Sequence, residues 1–139
     1  MPFLRGFYHL VWTTKNRESS IDDEREMLLA RSIRATCDDK SWTLHAFGIM
    51  PDHIHIAMLF SGKYSTSDVV RLIKVNSSHL LGRVTDTRNR IEFQWQSEYG
   101  AMLFHMERFD QVVDYIRQQR HHHSENSVWA ELEQTDRPR

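Results

Sequence analysis

His53 and His55 lie two residues apart in an apolar run that reads as a strand, a spacing that puts both imidazoles on one face. Ile54 and Ile56 then point the other way. Two neutral imidazoles side by side can grip one divalent ion. The pair follows Pro51-Asp52, a favoured turn dipeptide, and stands at the start of the strand, where histidines without a purpose are costly to bury. The chain has nine histidines, so a His-x-His pair also arises by chance, and spacing alone leaves metal binding open.

Tyr115 belongs to the run Val112-Val113-Asp114-Tyr115-Ile116-Arg117-Gln118-Gln119. Helical spacing predicts that Tyr115 and Gln119 point together, while Val113 and Ile116 turn toward a core. A tyrosine oxygen that attacks phosphorus forms a covalent phosphotyrosine and splits one hard transfer into two easier ones. The phenol is protonated at neutral pH and needs a base or a metal beside it. A glutamine one turn away can offer a metal an oxygen ligand. Taken alone, the helix favours Tyr115 as a cap on the hydrophobic seam with its hydroxyl in water.

The elements that must position these groups follow from periodicity and turn residues. Residues 3–14, rich in aromatic and β-branched side chains, predict a strand. Residues 20–40 predict a helix, with Asp22, Asp23 and Glu24 at its positive end and Met27, Leu28, Ile33 and Ala35 as apolar positions. Strands are expected over 41–50 and 53–60. A second helix over 67–84 has Val69, Ile73, Ser77, Leu80 and Val84 on one face and Arg71, Lys74 and Ser78 on another. Residues 91–95 and 101–105 carry strand signals around Tyr99-Gly100. A third helix over 108–123 packs through Phe109, Val112, Val113 and Ile116, and a short helix is expected near 128–132. The order β-α-β-β-α-β predicts an α+β, ferredoxin-like split β-α-β fold: an antiparallel sheet with helices on one face, plus a C-terminal tyrosine-bearing helix. That topology hosts many activities and does not choose among them.

The chain has 139 residues, one domain's worth, with 124–139 as a C-terminal tail. Its single cysteine, Cys37, rules out an internal disulfide and argues against a cysteine-based zinc site. No apolar run is long enough to span a bilayer, and the N-terminus lacks a signal-peptide layout, so a cytoplasmic setting without membrane contact is expected. The net charge of −1 does not announce a nucleic-acid partner. Its distribution is uneven, however. Between positions 63 and 90 six basic residues face two acidic ones, whereas the tail from Glu125 holds four acids against two arginines. The basic middle is either a phosphate-binding face or an ordinary solvated surface.

Five segments gain meaning from their order: Tyr8-His9-Leu10-Val11-Trp12-Thr13-Thr14-Lys15; Met50-Pro51-Asp52-His53-Ile54-His55-Ile56; Lys74 followed by Ser77-Ser78; Trp95-Gln96-Ser97-Glu98-Tyr99-Gly100-Ala101; and Tyr115-Ile116-Arg117-Gln118-Gln119 with His122-His123. Together they resemble the HUH single-tyrosine transposases, which include insertion-sequence transposases and REP-associated tyrosine transposases. The resemblance spans about residues 6–123. The run Ala101-Met102-Leu103-Phe104-His105 departs from it, being bulkier than the small, serine-containing stretch expected after Tyr-Gly.

The resemblance implies that His53, His55 and Gln119 are metal ligands for Mg²⁺ or Mn²⁺, the His₂-plus-oxygen set suiting Mn²⁺ better. It implies that Tyr115 attacks single-stranded DNA beside a hairpin, leaving a 5′-phosphotyrosine and a free 3′-hydroxyl that can reverse the reaction. It also implies a homodimer, in which the tyrosine helix of some members completes the partner's site, and a place beside the nucleoid. Lys74 and Arg71 become candidate DNA-backbone contacts, and Trp95 and Tyr99 candidate stacking platforms. His9, His121, His122 and His123 are competing metal ligands, and the triple histidine is an alternative to Gln119. The rival readings are a replication-initiation or relaxase-type nickase, a domesticated hairpin-DNA nuclease or binding protein, and a metal-binding ferredoxin-like protein without a nucleic-acid role.

Overall fold

Strand β1 (Gly6–Thr13) is buried along almost its whole length, on both sides, because helices cover both faces of the sheet it centres. The structure, a computed structural model, describes residues 6–84, 92–119 and 130–135. Strands β2 (Thr43–Met50), β3 (His53–Leu59) and β4 (Gly100–His105) complete a four-stranded antiparallel sheet in the order β2-β3-β1-β4. This is the split β-α-β arrangement expected from the element order. Helices α1 (Asp23–Lys40) and α2 (Thr66–Gly82) lie on one face. There Leu10, Trp12, Ile54, Ile56 and Met58 pack with Leu29, Ile33 and Cys37 of α1 and with Val69, Val70, Ile73 and Leu81 of α2.

The opposite face carries the alternate side chains. Phe7, Ala46, Ala57 and Phe104 pack against Val112, Val113, Tyr115 and Ile116 of helix α3 (Phe109–Arg117) and against Leu132 of α4 (Ala130–Glu133). His9, Val11, Thr13, His53 and His55 share this second face by strand alternation.

Local chemistry sets the boundaries. Helix α1 begins three residues later than expected, where the Asp22 carboxylate accepts a hydrogen bond from the Arg25 amide at 2.9 Å. It stops at Ser41, which adopts a left-handed conformation with φ 58°. Its buried seam is Leu29, Ile33 and Cys37, one turn apart, so Met27 and Ala35 face solvent instead of the core. Helix α2 starts at a reciprocal capping box between Ser65 and Asp68.

The strand expected over 91–95 does not form at 92–95, and Ile91 lies outside the described residues. Trp95 makes only one bridge, to Thr14, flanked by the bonds Lys15 N–H to Gln94 O (2.9 Å) and Gln96 N–H to Thr13 O (3.0 Å). Phe93 and Trp95 carry strand-like alternation because both rings turn inward, Phe93 against Trp95 and Trp95 against Trp12. The third helix is described to Arg117, and the remainder of the span expected for it, from 120 on, lies outside the described residues. No described helix is long and apolar enough to cross a membrane.

Candidate metal and tyrosine site

One rung of the sheet runs Gly48–His55–Val11–Gly100 across all four strands. Paired residues in a rung project to the same face, so the two glycines flank His55 and Val11 on the α3 side. A Cβ at Gly48 would collide with the backbone oxygen of Ile116, and one at Gly100 with that of Gln134. Both glycines are therefore needed for close approach. At one edge the end of α3 sits directly on the sheet, and at the other the chain after α4 does. Two distant segments are brought down on either side of the histidines.

The Nε2 atom of His55 stands 2.7 Å from Oε2 and 3.0 Å from Oε1 of Glu133, and Nε2 of His53 stands 3.3 Å from Oε1. Each of the three side chains offers a ligand atom within 4.8 Å of the others. The far sides of the two rings are also engaged. His53 Nδ1 meets Asp52 Oδ1 at 2.6 Å, and His55 Nδ1 meets His9 Nε2 at 2.8 Å. His9 and His55 are fully buried, and His53 nearly so.

These contacts fix the charge state. Burial alone would lower the His53 pKa, but hydrogen bonds to Asp52 and Glu133, and their charges, outweigh it and push it up to about 9. Burial would likewise raise Glu133, yet the bonds from both imidazoles and their charges hold its carboxyl well below the usual range. The His53 hydrogen bond also lowers Asp52. His9 is pushed down to about 3, first by burial and then by the charge of His55. Two nitrogens and a carboxylate converging on one point suit a divalent transition ion such as Mn²⁺ better than Mg²⁺, which prefers oxygen throughout.

Tyr115 reaches this cluster from α3. Its ring lies 6.1 Å from that of His55, centre to centre, at 78°. The side chain is 5% exposed, so Tyr115 is buried together with Val113 and Ile116. Gln119 is 2% exposed, with its Cγ beside Gly48 and its amide nitrogen donating to the Tyr115 carbonyl at 3.1 Å. It thus sits one strand away from His55. Among the described residues Glu133 is the oxygen donor seen against both imidazoles, and spacing could not have found it, since it lies 78 residues from His55. Glu133 lies one residue past the short helix expected near 128–132, so the sequence reading did not single it out. His9, expected as a competing ligand, instead bonds the back of His55, and His121 to His123 lie outside the described residues.

The profile of the family described as "Transposase IS200 like" matches residues 4–119. The chain belongs to this family. The match covers both histidines, Tyr115 and Gln119, and ends before Glu133. No curated protein matches the chain. Among solved structures, a "putative transposase" from Deinococcus radiodurans R1 superposes with a TM-score of 0.65 at 22% identity, over 86% of this chain and 95% of that one. A REP-associated tyrosine transposase bound to a REP hairpin superposes with a TM-score of 0.67 at 21% identity, over 88% of this chain and 71% of that one. At such identities the likeness concerns the fold.

The remaining motifs of this IS200-like chain build a clamp beside the site. The Lys74 ammonium donates to Gln96 O at 2.7 Å and Glu98 O at 3.1 Å, and burial lowers its pKa to about 8. Trp95 Nε1 donates to Ser77 Oγ at 3.0 Å, and the Tyr99 hydroxyl lies 2.7 Å from Ser67 Oγ. Gln96 in turn takes a hydrogen bond from Thr13, the residue opposite His53 in the sheet. Three of the four candidate DNA contacts thus hold the 94–99 segment onto α2. Arg71 is exposed and paired at 3.7 Å with Asp68. Together with Lys15, Arg17 and Lys74 it lines an open groove with no acidic side chain among its described lining residues. Arg17 reaches Asp52 at 3.8 Å, so the groove opens next to the histidine site.

Proposed function

We propose that this chain cleaves and rejoins single-stranded DNA beside a hairpin, with Tyr115 as the nucleophile. The observation that carries the reading is the placement of the Tyr115 ring against His55, whose Nε2 converges with that of His53 on Glu133. His53, His55 and Glu133 would hold a divalent cation, Mn²⁺ or Mg²⁺, with Gln119 close by as a further oxygen donor. When bound, the ion supplies a Lewis acid that polarises a non-bridging phosphate oxygen. Tyr115 attacks phosphorus as the bond from phosphorus to the 3′-oxygen breaks, the phenol proton passes by way of solvent to that oxygen, and a 5′-phosphotyrosine and a 3′-hydroxyl remain. A 3′-hydroxyl attacking the same phosphorus reverses the step and frees Tyr115.

The cationic groove would seat the DNA backbone through Lys15, Arg17 and Arg71, while Lys74, Trp95 and Tyr99 shape its wall. A hairpin substrate is supported by the REP hairpin held by the structural neighbour. We propose a homodimer working at the nucleoid in the cytoplasm. Tyr115 stands beside the histidines of its own chain, which supports a site completed within one subunit. The family match from 4 to 119 favours transposition over plasmid nicking.

The test is incubation with single-stranded hairpin oligonucleotides from the flanking genome and Mn²⁺. A protein–DNA adduct that survives denaturation, and is absent with chelator and in Tyr115→Phe, is expected. An adduct persisting in Tyr115→Phe would remove Tyr115 from the role.

A further inference from the structure

We propose that His9 and Asp52 are positioning residues that turn His55 and His53 so that both present Nε2 to one cation; the inference rests on the metal reading above. Each imidazole has two nitrogens, and a rotation or tautomer change exchanges which of them faces the site. Here the Nδ1 atoms are taken: His53 Nδ1 lies 2.6 Å from Asp52 Oδ1 and His55 Nδ1 lies 2.8 Å from His9 Nε2. A ligating Nε2 needs its lone pair, so the ring proton must sit on Nδ1. Asp52 accepts that proton's hydrogen bond from His53, the carboxylate–histidine pairing that steadies many metal sites. His9 does the same for His55 through a neutral ring, its own proton then on Nδ1.

The setting supports a specific task for His9. It is 1% exposed, beside the fully buried His55, on a face it shares with the apolar Phe7, Val11 and Ala57. A simple core position there would be filled at lower cost by an apolar side chain. The two helpers also differ in kind. Asp52 brings a negative charge that strengthens His53 as a donor, whereas His9 orients its partner without adding charge. The opening strand motif and the residue before the histidine pair thus gain a shared role.

The experiment measures Mn²⁺ affinity by the loss of the free-ion electron paramagnetic resonance signal, in the wild type, His9→Leu, His9→Gln, Asp52→Ala and Asp52→Asn. Affinity is expected to fall about ten- to a hundredfold in His9→Leu and Asp52→Ala. It should recover substantially in His9→Gln and Asp52→Asn, which keep an acceptor. Nitrogen-15 spectra of the Zn²⁺-loaded protein should show Nδ1-protonated rings for His53 and His55, with the His55 signal altered in His9→Leu. Circular dichroism identifies variants that fold, and the Asp52 pair carries the test if His9→Leu does not. Wild-type affinity in folded Asp52→Ala and His9→Leu, alongside its loss in His53→Ala, would overturn the positioning role alone. A wild type that takes up no Mn²⁺ would overturn the metal reading with it.

Discussion

Glu133 closes on His55 at 2.7 Å across 78 residues of chain, joining the end of the described sequence to the centre of the sheet. The contact links three levels of the structure. Glycines at both edges of one rung let backbone descend on the histidine face, α4 anchors its carboxylate through buried Leu132, and two imidazoles meet it. If Glu133 is a ligand, Glu133→Ala should weaken Mn²⁺ at least about tenfold, since even outer partners of a metal site act on that scale. Calorimetric titration reads this directly. Unchanged affinity with faster DNA cleavage would make Glu133 a cover over the histidines instead.

Metal binding should release protons. The metal-free His53 pKa of about 9 means that the ring is protonated at pH 7 and must lose its Nε2 proton to ligate. Affinity should therefore climb with pH, by roughly tenfold per unit for one displaced proton, and level off above pH 9. Titrations in buffers of different ionisation enthalpy count the proton; a pH-independent affinity would contradict the assignment. The same shift sets the stability of the metal-free protein. The folded pKa is raised above 6.5, so its contribution is complete below pH 6.5 and disappears as the pH rises through about 9. The depressed Glu133 acts oppositely, contributing above pH 4.5 and losing its effect in acid.

Gly48→Ala should push α3 off the sheet, because the new methyl meets the Ile116 carbonyl and not a yielding side-chain tip. Overpacking of this kind costs on the order of 1–3 kcal/mol. Urea unfolding measures the loss, and covalent adduct formation should fall with it because Tyr115 and Gln119 ride on that segment. Wild-type stability and activity would show that the close approach is not needed.

Lys74 and Arg71 should separate on mutation. Lys74→Met removes the half-buried ammonium that donates to two carbonyls and should destabilise the protein by on the order of 1–3 kcal/mol even without DNA. Arg71→Ala should leave stability within about 0.5 kcal/mol. Its effect should be weaker DNA binding and a shallower salt dependence of that binding. Equal stability losses in the two variants would refute this division of labour.

The parts of the fold legible in the sequence are those with short-range causes. Alternation around His53 to Ile56 places the imidazoles on one face whatever the rest of the chain does, and Pro51-Asp52 marks the turn before them. The Leu29, Ile33 and Cys37 seam decides which side of α1 is buried, and Met27 and Ala35 mislead because an apolar residue alone does not define a face. Phe93 and Trp95 alternate as strand residues do, yet among the described residues Trp95 forms a single isolated bridge, at Thr14. The candidate site divides the same way. His53, His55 and Tyr115 lie side by side in the structure, with Tyr115 more deeply buried than a seam cap. Glu133 and the His9–His55 contact depend on tertiary closure, which no local spacing encodes.

On the proposed reading Tyr115, beside the histidine site, forms the covalent bond to DNA. The most direct measurement is mass spectrometry of a proteolysed adduct trapped on a single-stranded hairpin with Mn²⁺. One nucleotide-linked peptide is expected, with the phosphate on the Tyr115 oxygen and a free 3′-hydroxyl on the released strand. Linkage through Tyr8, Tyr64 or Tyr99, or cleavage that leaves no protein-linked product, would contradict it.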